Sequence, residues 1–131
     1  MKNIVVFSGA GISAESGLGT FRDSGGLWEN FKIEDVATPE AFHKNPSLVL
    51  DFYNIRRKEL LQSHPNDAHT SLNRLQQSYN LSIITQNIDD LHERSGSSDV
   101  LHLHGKLRES RSIIDNQVYK IKGPDLSIGD V

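Results

Sequence analysis

Cysteine is absent from the 131-residue sequence, which also has only one tryptophan and one methionine. Without cysteine, the chain can form neither a disulfide nor a thiolate metal site. The sequence lacks an apolar run of about 18 residues and a basic-then-apolar leader, so we expect no membrane contact and a cytoplasmic location. The sequence also lacks a large excess of positive or negative charge. The net charge of -3 gives no long-range attraction for a nucleic acid, and none is expected as a partner.

What is present fits one soluble globular domain at most. Hydrophobic residues make up 36% of the sequence, which is sufficient for one core at this length. Neither an internal repeat nor a low-complexity linker interrupts the chain, so a repeat array is not expected.

The most informative stretch is an apolar run that ends in small residues. Residues 4–8 are rich in β-branched side chains and predict a strand that is buried on both faces. The spacing G-x-G-x-x-A of Gly9, Gly11 and Ala14 follows, with Ser13 or the next amides placed to open a helix. Such a turn allows a backbone to approach a pyrophosphate closely. The alternative is a glycine-rich turn that binds nothing.

An ordinary dinucleotide fold would place an acidic residue after a second strand, about 20 residues further on. Residues 28–35 show no such strand. Four motifs, the glycine turn among them, occur in order: GAGIS at 9–13, FR at 21–22, TQNIDDLH at 85–92 and HG at 104–105. Together they resemble the sirtuin family of NAD-dependent protein lysine deacylases, and the resemblance covers residues 1 to about 107.

The resemblance implies NAD as the cofactor. In sirtuins the FR pair lies near the nicotinamide ribose and the phosphates, while the Gln, Asn and Asp of TQNIDD contact the ribose and the carboxamide of nicotinamide. The NAD-binding residues it implies are Gly9, Ala10, Gly11, Ile12, Ser13, Phe21, Arg22, Gln86, Asn87, Ile88 and Asp89. Three alternatives stay open: Phe21 as a core aromatic, Arg22 as a surface charge, and an Asn-Asp turn that caps a short helix near Asp90.

Residues 100–105 predict a third strand, whose alternation would place His102 and His104 on one face. Adding His92 would suggest a metal site, but no matching acidic residues are evident and we predict no metal. The resemblance implies that His104 is the catalytic base acting on a ribose hydroxyl, with Asn87 positioning a water.

Two helix starts are signalled by Thr38-Pro39 and Asn45-Pro46. On a helix over 46–62, Arg56 falls among apolar residues, and Asn54 falls on the opposite face with Asp51 and Lys58. An arginine on an apolar face is costly unless an anion meets it.

Tyr53 and Arg56 resemble the Y-x-x-R motif of the class III, desuccinylase-type sirtuins, and Ala37 stands where those enzymes have a small alanine. The resemblance implies that this set binds the carboxylate of a succinyl-, malonyl- or glutaryl-lysine. Alternatively, Arg56 pairs with an acidic residue of its own chain or extends its head group to solvent.

A helix over 65–77 and a second buried strand over 81–85 complete the first part of the chain, and residues 106–131 hold a strand or two. The predicted fold class is therefore α/β, the N-terminal portion of a sirtuin-type Rossmann-like fold with about three parallel strands, truncated within the small domain. The predicted domains are 1–105, with a helical insertion at about 38–62, and a small-domain remnant at 106–131.

Two functions follow from the resemblance and its limits. The first is an NAD-dependent deacylase that removes succinyl or malonyl groups, with acetyl as a further acyl group, from lysines of proteins or peptides, as the activity of a complete enzyme. The second is a truncated, non-catalytic fragment or nucleotide-binding module, which associates with itself or is complemented by a missing half.

Overall fold

The structure is a computed structural model that describes residues 1–19 and 32–130, with the backbone alone for Ile33. The predictions for Phe21 and Arg22 lie outside these residues. In chain order the elements are β1 Asn3–Ser8, α1 Gly11–Ala14, α2 Ile33–Val36, α3 Pro39–Lys44, α4 Pro46–Gln62, α5 Asp67–Leu75, β2 Asn80–Thr85, α6 Leu91–Arg94, β3 Val100–His102, β4 Glu109–Arg111 and β5 Val118–Lys120.

Strands β1, β2 and β3 form a parallel sheet in that order. Asn3 is paired with Asn80 at one end of the register, and Ser8 with Thr85 at the other. Parallel strands need long crossover connections, and the helices between the strands provide them. The predicted α/β class with three parallel strands is confirmed.

The prediction that the first strand is buried on both faces is wrong. Val5 is 66% exposed and Phe7 is 62% exposed, whereas Ser8 is buried. Phe7 is aligned with Ile84 and through it with Leu101, which is 57% exposed. An unbroken apolar run therefore does not prove double burial, because the described residues leave one face of this sheet open.

The chain divides into two compact units, each made of two segments. Unit 1 comprises Met1–Leu18 and Ser63–Leu107, and unit 2 comprises Gly19–Gln62 and Arg108–Val131. Unit 1 contains the parallel sheet with α1, α5 and α6. Unit 2 contains α2, α3, α4 and the antiparallel pair of β4 and β5. The domain boundaries inferred from sequence stay a prediction.

Helix starts in unit 2 follow the predicted caps. The Thr38 hydroxyl accepts a hydrogen bond from the Ala41 amide at 3.1 Å, and the Asn45 side chain accepts one from the Leu48 amide at 3.2 Å. Each cap is followed by a proline in the first helical position, where no amide is needed. The start of α3 and that of α4 are thus encoded locally.

The face assigned to α4 needs a correction. Val49, Phe52 and Leu60 are buried as expected, but Arg57 is buried as well. Asn54, predicted to lie opposite the apolar face, donates to the Leu126 carbonyl and accepts from the Leu126 amide, both at 2.9 Å. The C-terminal segment of unit 2 therefore packs on the side that the helical wheel marked as polar.

Strands β4 and β5 form an antiparallel hairpin. Ser110 of β4 is paired with Tyr119 of β5. The strand or two predicted for residues 106–131 is thereby accounted for by β4 and β5, and Ile113 and Ile114 lie in the turn between them, 82% and 89% exposed. In the part of the chain that the structure describes, no helix has the length and hydropathy needed to cross a membrane.

Candidate functional site

The candidate site lies where the three parallel strands end. Ser8, Thr85 and His102 are aligned across the sheet as the last residues of their strands. The chain therefore leaves β1, β2 and β3 at the same edge. In open α/β sheets, ligands bind at this edge.

Asn87 is fixed at this edge by four hydrogen bonds. Its side-chain nitrogen donates to the Gly9 carbonyl at 3.0 Å and, at 3.5 Å, to the Ser13 hydroxyl. Its backbone amide donates to the Thr85 hydroxyl at 3.0 Å. Its carbonyl accepts from Nδ1 of His102 at 2.8 Å. The side chain is thereby tied to the glycine turn.

Asp89 is buried beside the same turn. Its Oδ2 accepts from the Ser13 hydroxyl at 2.7 Å, and its Oδ1 accepts from the Leu91 amide at 3.1 Å. The second bond satisfies an amide in the first turn of α6, whose N-cap residue is Asp90, so the turn chemistry expected beside a helix near Asp90 is present. Ser13 does not open a helix: it is buried within the four-residue α1.

The glycine turn itself is compact and open on one side. The Ile12 amide donates to the Gly9 carbonyl at 3.3 Å, closing the turn. A Cβ at Gly11 would meet no described atom within 4 Å, while one at Gly9 would lie 3.7 Å from Oε1 of Gln86. Gln86 is exposed at the end of β2. Among the described residues, the turn is therefore open at Gly11, while the side chains of Gln86 and Asn87 lie beside Gly9.

We had predicted that the third strand includes His104, and this prediction is wrong. β3 ends at His102, and the Gly105 amide donates to the His102 carbonyl at 3.5 Å to close a turn. Gly105 has a φ of 84°, a conformation that glycine adopts without strain. The two histidines consequently differ: the His102 side chain is 2% exposed, while His104 is exposed in the turn.

A second polar cluster lies beneath the strand ends. Ser8 donates to the Thr85 hydroxyl at 2.9 Å and bonds Nε2 of His92 at 3.0 Å. The rings of His69 and His92, both fully buried, meet edge to face with centroids 5.1 Å apart. Burial lowers the pKa of each histidine, and the neighbouring imidazole lowers that of His69 further. Both rings are therefore neutral near pH 7.

Unit 2 holds the residues predicted to bind the acyl group. Tyr53 and Arg56 lie on α4, and Ala37 lies between α2 and α3. The Arg56 guanidinium carbon is 6.0 Å from the Phe52 ring centroid, and that ring meets Tyr53 edge to face at 5.0 Å. Burial raises the pKa of Tyr53, while Arg56 opposes this rise. The phenol is therefore neutral at physiological pH and able to donate a hydrogen bond.

Comparison with known proteins gives a match to the Sir2 family over residues 9–123. The chain belongs to the Sir2 family. The resemblance to sirtuins inferred from the four sequence motifs is thereby confirmed. The fold class is confirmed by solved Sir2 structures. A Sir2 homologue–NAD complex is 40% identical with a TM-score of 0.85, covering 95% of this chain and 49% of that one.

Curated relatives of this Sir2-family chain are named NAD-dependent protein deacylases. One from Helicobacter pylori (strain J99) is 58% identical over 132 residues, covering 100% of this chain and 56% of the relative. One from Bacteroides thetaiotaomicron is 57% identical over 107 residues, covering 82% of this chain and 46% of the relative. The chain therefore spans about half the length of these relatives.

Sequence reasoning missed the residues whose hydrogen bonds hold the strand ends in place. Ser8, Thr85 and His92 were counted as strand or motif positions, and Glu93, which bonds His102, was not singled out. Alternation along β2 places Thr85 on the same face as the buried Ile83. A hydroxyl on a buried face requires a hydrogen-bond partner, and that requirement was the available signal.

Proposed function

We propose that this chain is part of an NAD-dependent protein lysine deacylase, acting on acyl-lysine proteins or peptides. The observation that carries the proposal is the meeting of Gly9, Ser13, Asn87 and Asp89 in one hydrogen-bonded cluster at the strand ends. Two segments of the chain converge there, the turn after β1 and the residues after β2, and their bonded residues are 76 and 78 positions apart. A turn that served only to reverse the chain would not need this cluster.

The residues present fit NAD. The open backbone at Gly11 leaves room for a phosphate group, and the exposed Gln86 offers a donor and an acceptor for ribose hydroxyls. When bound, NAD supplies a ribose carbon made reactive by nicotinamide as a leaving group. The exposed His104 would hold the proton taken from a ribose hydroxyl. Phe21 and Arg22 are proposed contacts on sequence resemblance alone.

The finer proposal is a preference for acidic acyl groups. Arg56 and Tyr53 are three residues apart on α4, so their head groups can reach one small target. A guanidinium offers two parallel donors to a carboxylate, and a neutral phenol adds a third. Ala37 would leave space for the acyl chain. A purely structural role for Arg56 is the competing explanation.

The test is a pair of substitutions in the whole protein that contains this chain. His104→Ala should reduce deacylation by at least about a hundredfold while the unfolding transition stays unchanged, because only an exposed side chain is shortened. Arg56→Met should cut desuccinylation about tenfold or more and leave deacetylation nearly unchanged. His43→Ala, also exposed, is the matched control for the first change. Normal turnover by His104→Ala would contradict the base assignment, and equal losses on both acyl groups would make Arg56 structural.

A second candidate is a non-catalytic fragment or nucleotide-binding module. One observation favours it: the whole chain matches only 56% of the length of the Helicobacter pylori relative. Binding area and preorganisation both fall when part of a cleft is absent. The mass of the native protein, measured together with NAD binding by calorimetry, separates the two functions. A 131-residue native product that binds NAD no tighter than about 1 mM, worth about 4 kcal/mol, would favour the fragment.

A further inference from the structure

Both ring nitrogens of His102 face hydrogen-bond acceptors. Nδ1 lies 2.8 Å from the Asn87 carbonyl oxygen, and Nε2 lies 2.8 Å from Oε2 of Glu93. A carbonyl oxygen can only accept, so Nδ1 carries a hydrogen and donates it. The His102 side chain is 2% exposed, whereas the Glu93 side chain is 36% exposed, so the ring is enclosed while its carboxylate partner is partly open to solvent.

Glu93 completes the arrangement from α6. Its hydrogen bond raises the pKa of His102, burial opposes that rise, and the bond to the Asn87 carbonyl adds to it. Lys106 and His92 are the other charged or titratable groups that act on this pair. The hydrogen bond from His102 lowers the pKa of Glu93 against the effect of burial. The raised pKa of His102 and the lowered pKa of Glu93 both favour an imidazolium beside a carboxylate, a pair in which both ring nitrogens donate.

We propose that His102 is a positioning residue that holds the Asn87 carbonyl and thereby keeps the Asn87 amide against the glycine turn. The Asn87 backbone has two anchors, the Thr85 hydroxyl at its amide and the His102 ring at its carbonyl. With both in place, neither of the two peptide groups that flank the Asn87 α-carbon can rotate without breaking a hydrogen bond. The direction of the side chain follows from the orientation of these two peptide groups.

This inference rests on the proposed function, in which Asn87 contacts NAD. Without His102, the Asn87 carbonyl would lose its buried donor, and the peptide could turn toward water. Misplacement of a binding group by about 1 Å costs up to about a hundredfold in rate. His102 thus acts through Asn87 and does not touch the ligand itself.

Three variants and one control distinguish a positioning role of the His102 hydrogen bond from an effect of side-chain volume alone. His102→Leu keeps an apolar side chain of moderate size but has no donor. His102→Gln retains one donor for the Asn87 carbonyl. Glu93→Gln removes the carboxylate, yet its amide can donate to Nε2, which leaves the hydrogen on Nδ1. His64→Gln changes an exposed histidine of the same unit and serves as the control.

The first measurement is nitrogen NMR of the His102 ring near neutral pH, together with the Asn87 carbonyl shift. We expect both ring nitrogens to be protonated in the unchanged chain, and Nδ1 alone in Glu93→Gln. The Asn87 carbonyl shift should move in His102→Leu and return toward its original value in His102→Gln. An unprotonated Nδ1, or a carbonyl shift that is the same in His102→Leu, would overturn the proposal.

The second measurement is NAD affinity by calorimetry. His102→Leu should weaken NAD binding about tenfold, while His102→Gln, Glu93→Gln and the control should stay within about threefold of the unchanged chain. Unchanged affinity in His102→Leu would overturn the positioning role. The calorimetry is done on the whole protein that contains this chain. If that protein does not bind NAD, the proposed function fails, and the NMR result alone then decides whether His102 holds Asn87.

Discussion

Arg57 carries a charge in a place with almost no solvent. It is 4% exposed, and its Nη1 donates to Oδ1 of Asn54 at 2.8 Å and to the Pro124 carbonyl at 2.7 Å. Burial lowers the pKa of this guanidinium, and the Asp125 carboxylate counters the effect. A buried charge with satisfied donors is stable, but the loss of its partners is costly.

Arg57→Met should therefore lower the free energy of unfolding by about 2 to 4 kcal/mol, because Pro124 and Asn54 lose a charged donor in a buried place. Urea denaturation followed by circular dichroism measures the change. Lys58→Met is the matched control, since Lys58 is the next residue on α4 and is exposed. A loss of similar size in both variants would show that Arg57 has no special structural role.

The two buried histidines predict an acid-sensitive stability. The pKa of His69 and that of His92 are lowered in the folded chain, so the unfolded chain binds more protons as the pH falls through about 6.5. Stability should decline between about pH 7 and 5. His102, whose pKa is raised, contributes in the opposite sense: its stabilisation is complete below about 6.5 and is lost as the pH rises.

His92→Asn should flatten the decline toward low pH, because the asparagine does not titrate. Thermal unfolding at a series of pH values would show it, with exposed His64→Asn as the control. A slope as steep as that of the unchanged chain would mean that other groups, such as carboxylates, cause the acid sensitivity.

At the scale of elements, α5 depends on one asparagine for its start and for its attachment. The side-chain oxygen of Asn66 accepts a hydrogen bond from the Ala68 backbone amide at 2.9 Å. The side-chain nitrogen of Asn66 donates to the Ile12 carbonyl at 2.8 Å and to the Ser16 hydroxyl at 3.0 Å. The His69 ring accepts from the Asn66 backbone amide at 3.1 Å, completing a capping box. The helix cap thus also holds α1 and the residues that follow it.

Asn66→Ala should cost about 2 kcal/mol of unfolding free energy, more than the ~1 kcal/mol of an ordinary cap, since it also removes the bonds to Ile12 and Ser16. Thr38→Ala, at the cap of α3, provides the comparison. If the two variants lose the same free energy, the bonds to residues 12 and 16 contribute nothing measurable.

The sequence predicted elements where the signals are local. Caps and prolines marked the starts of α3 and α4, and apolar runs marked β1 and β2. It failed where distant segments decide the outcome. Asn54 and Arg57 are polar on a helical wheel, and only the approach of residues 124–126 gives them buried partners.

The same limit applies to the site. Motif order identified Asn87 and Asp89, and the structure brings them to the glycine turn. His102 looked equivalent to His104 because strand alternation was assumed to continue. Glycine at 105 ends the strand early, so one histidine is enclosed and the other is exposed. A resemblance transfers residue identities, but the environment of each residue depends on packing.

At the scale of the whole molecule, the open face of the parallel sheet predicts self-association. Val5, Phe7 and Leu101 expose large apolar side chains on one face, and β1 is an edge strand among the described residues. The 131-residue chain should therefore form dimers or larger species at tens of micromolar. The double change Val5→Thr with Phe7→Thr should reduce association, since threonine keeps β propensity but lowers apolar exposure.

Light scattering with sedimentation velocity would measure this association. Ile113→Thr with Ile114→Thr is the control, because these isoleucines are more exposed but lie in a turn. An equal decrease in association in both double variants would indicate that any exposed apolar side chain promotes association. A monomeric unchanged chain would contradict the prediction.

The pairing of β1 with β2 also constrains events during synthesis. Ser8 and Thr85 are separated by 77 positions, so the first strand leaves the ribosome long before its partner exists. At about 5 to 20 residues per second, the N-terminal strand waits roughly 4 to 15 seconds. Its apolar side chains are available to chaperones throughout that interval. Slow translation between residues 8 and 85 would lengthen the exposure, whereas helices α3 and α4 can form within it because their contacts are local.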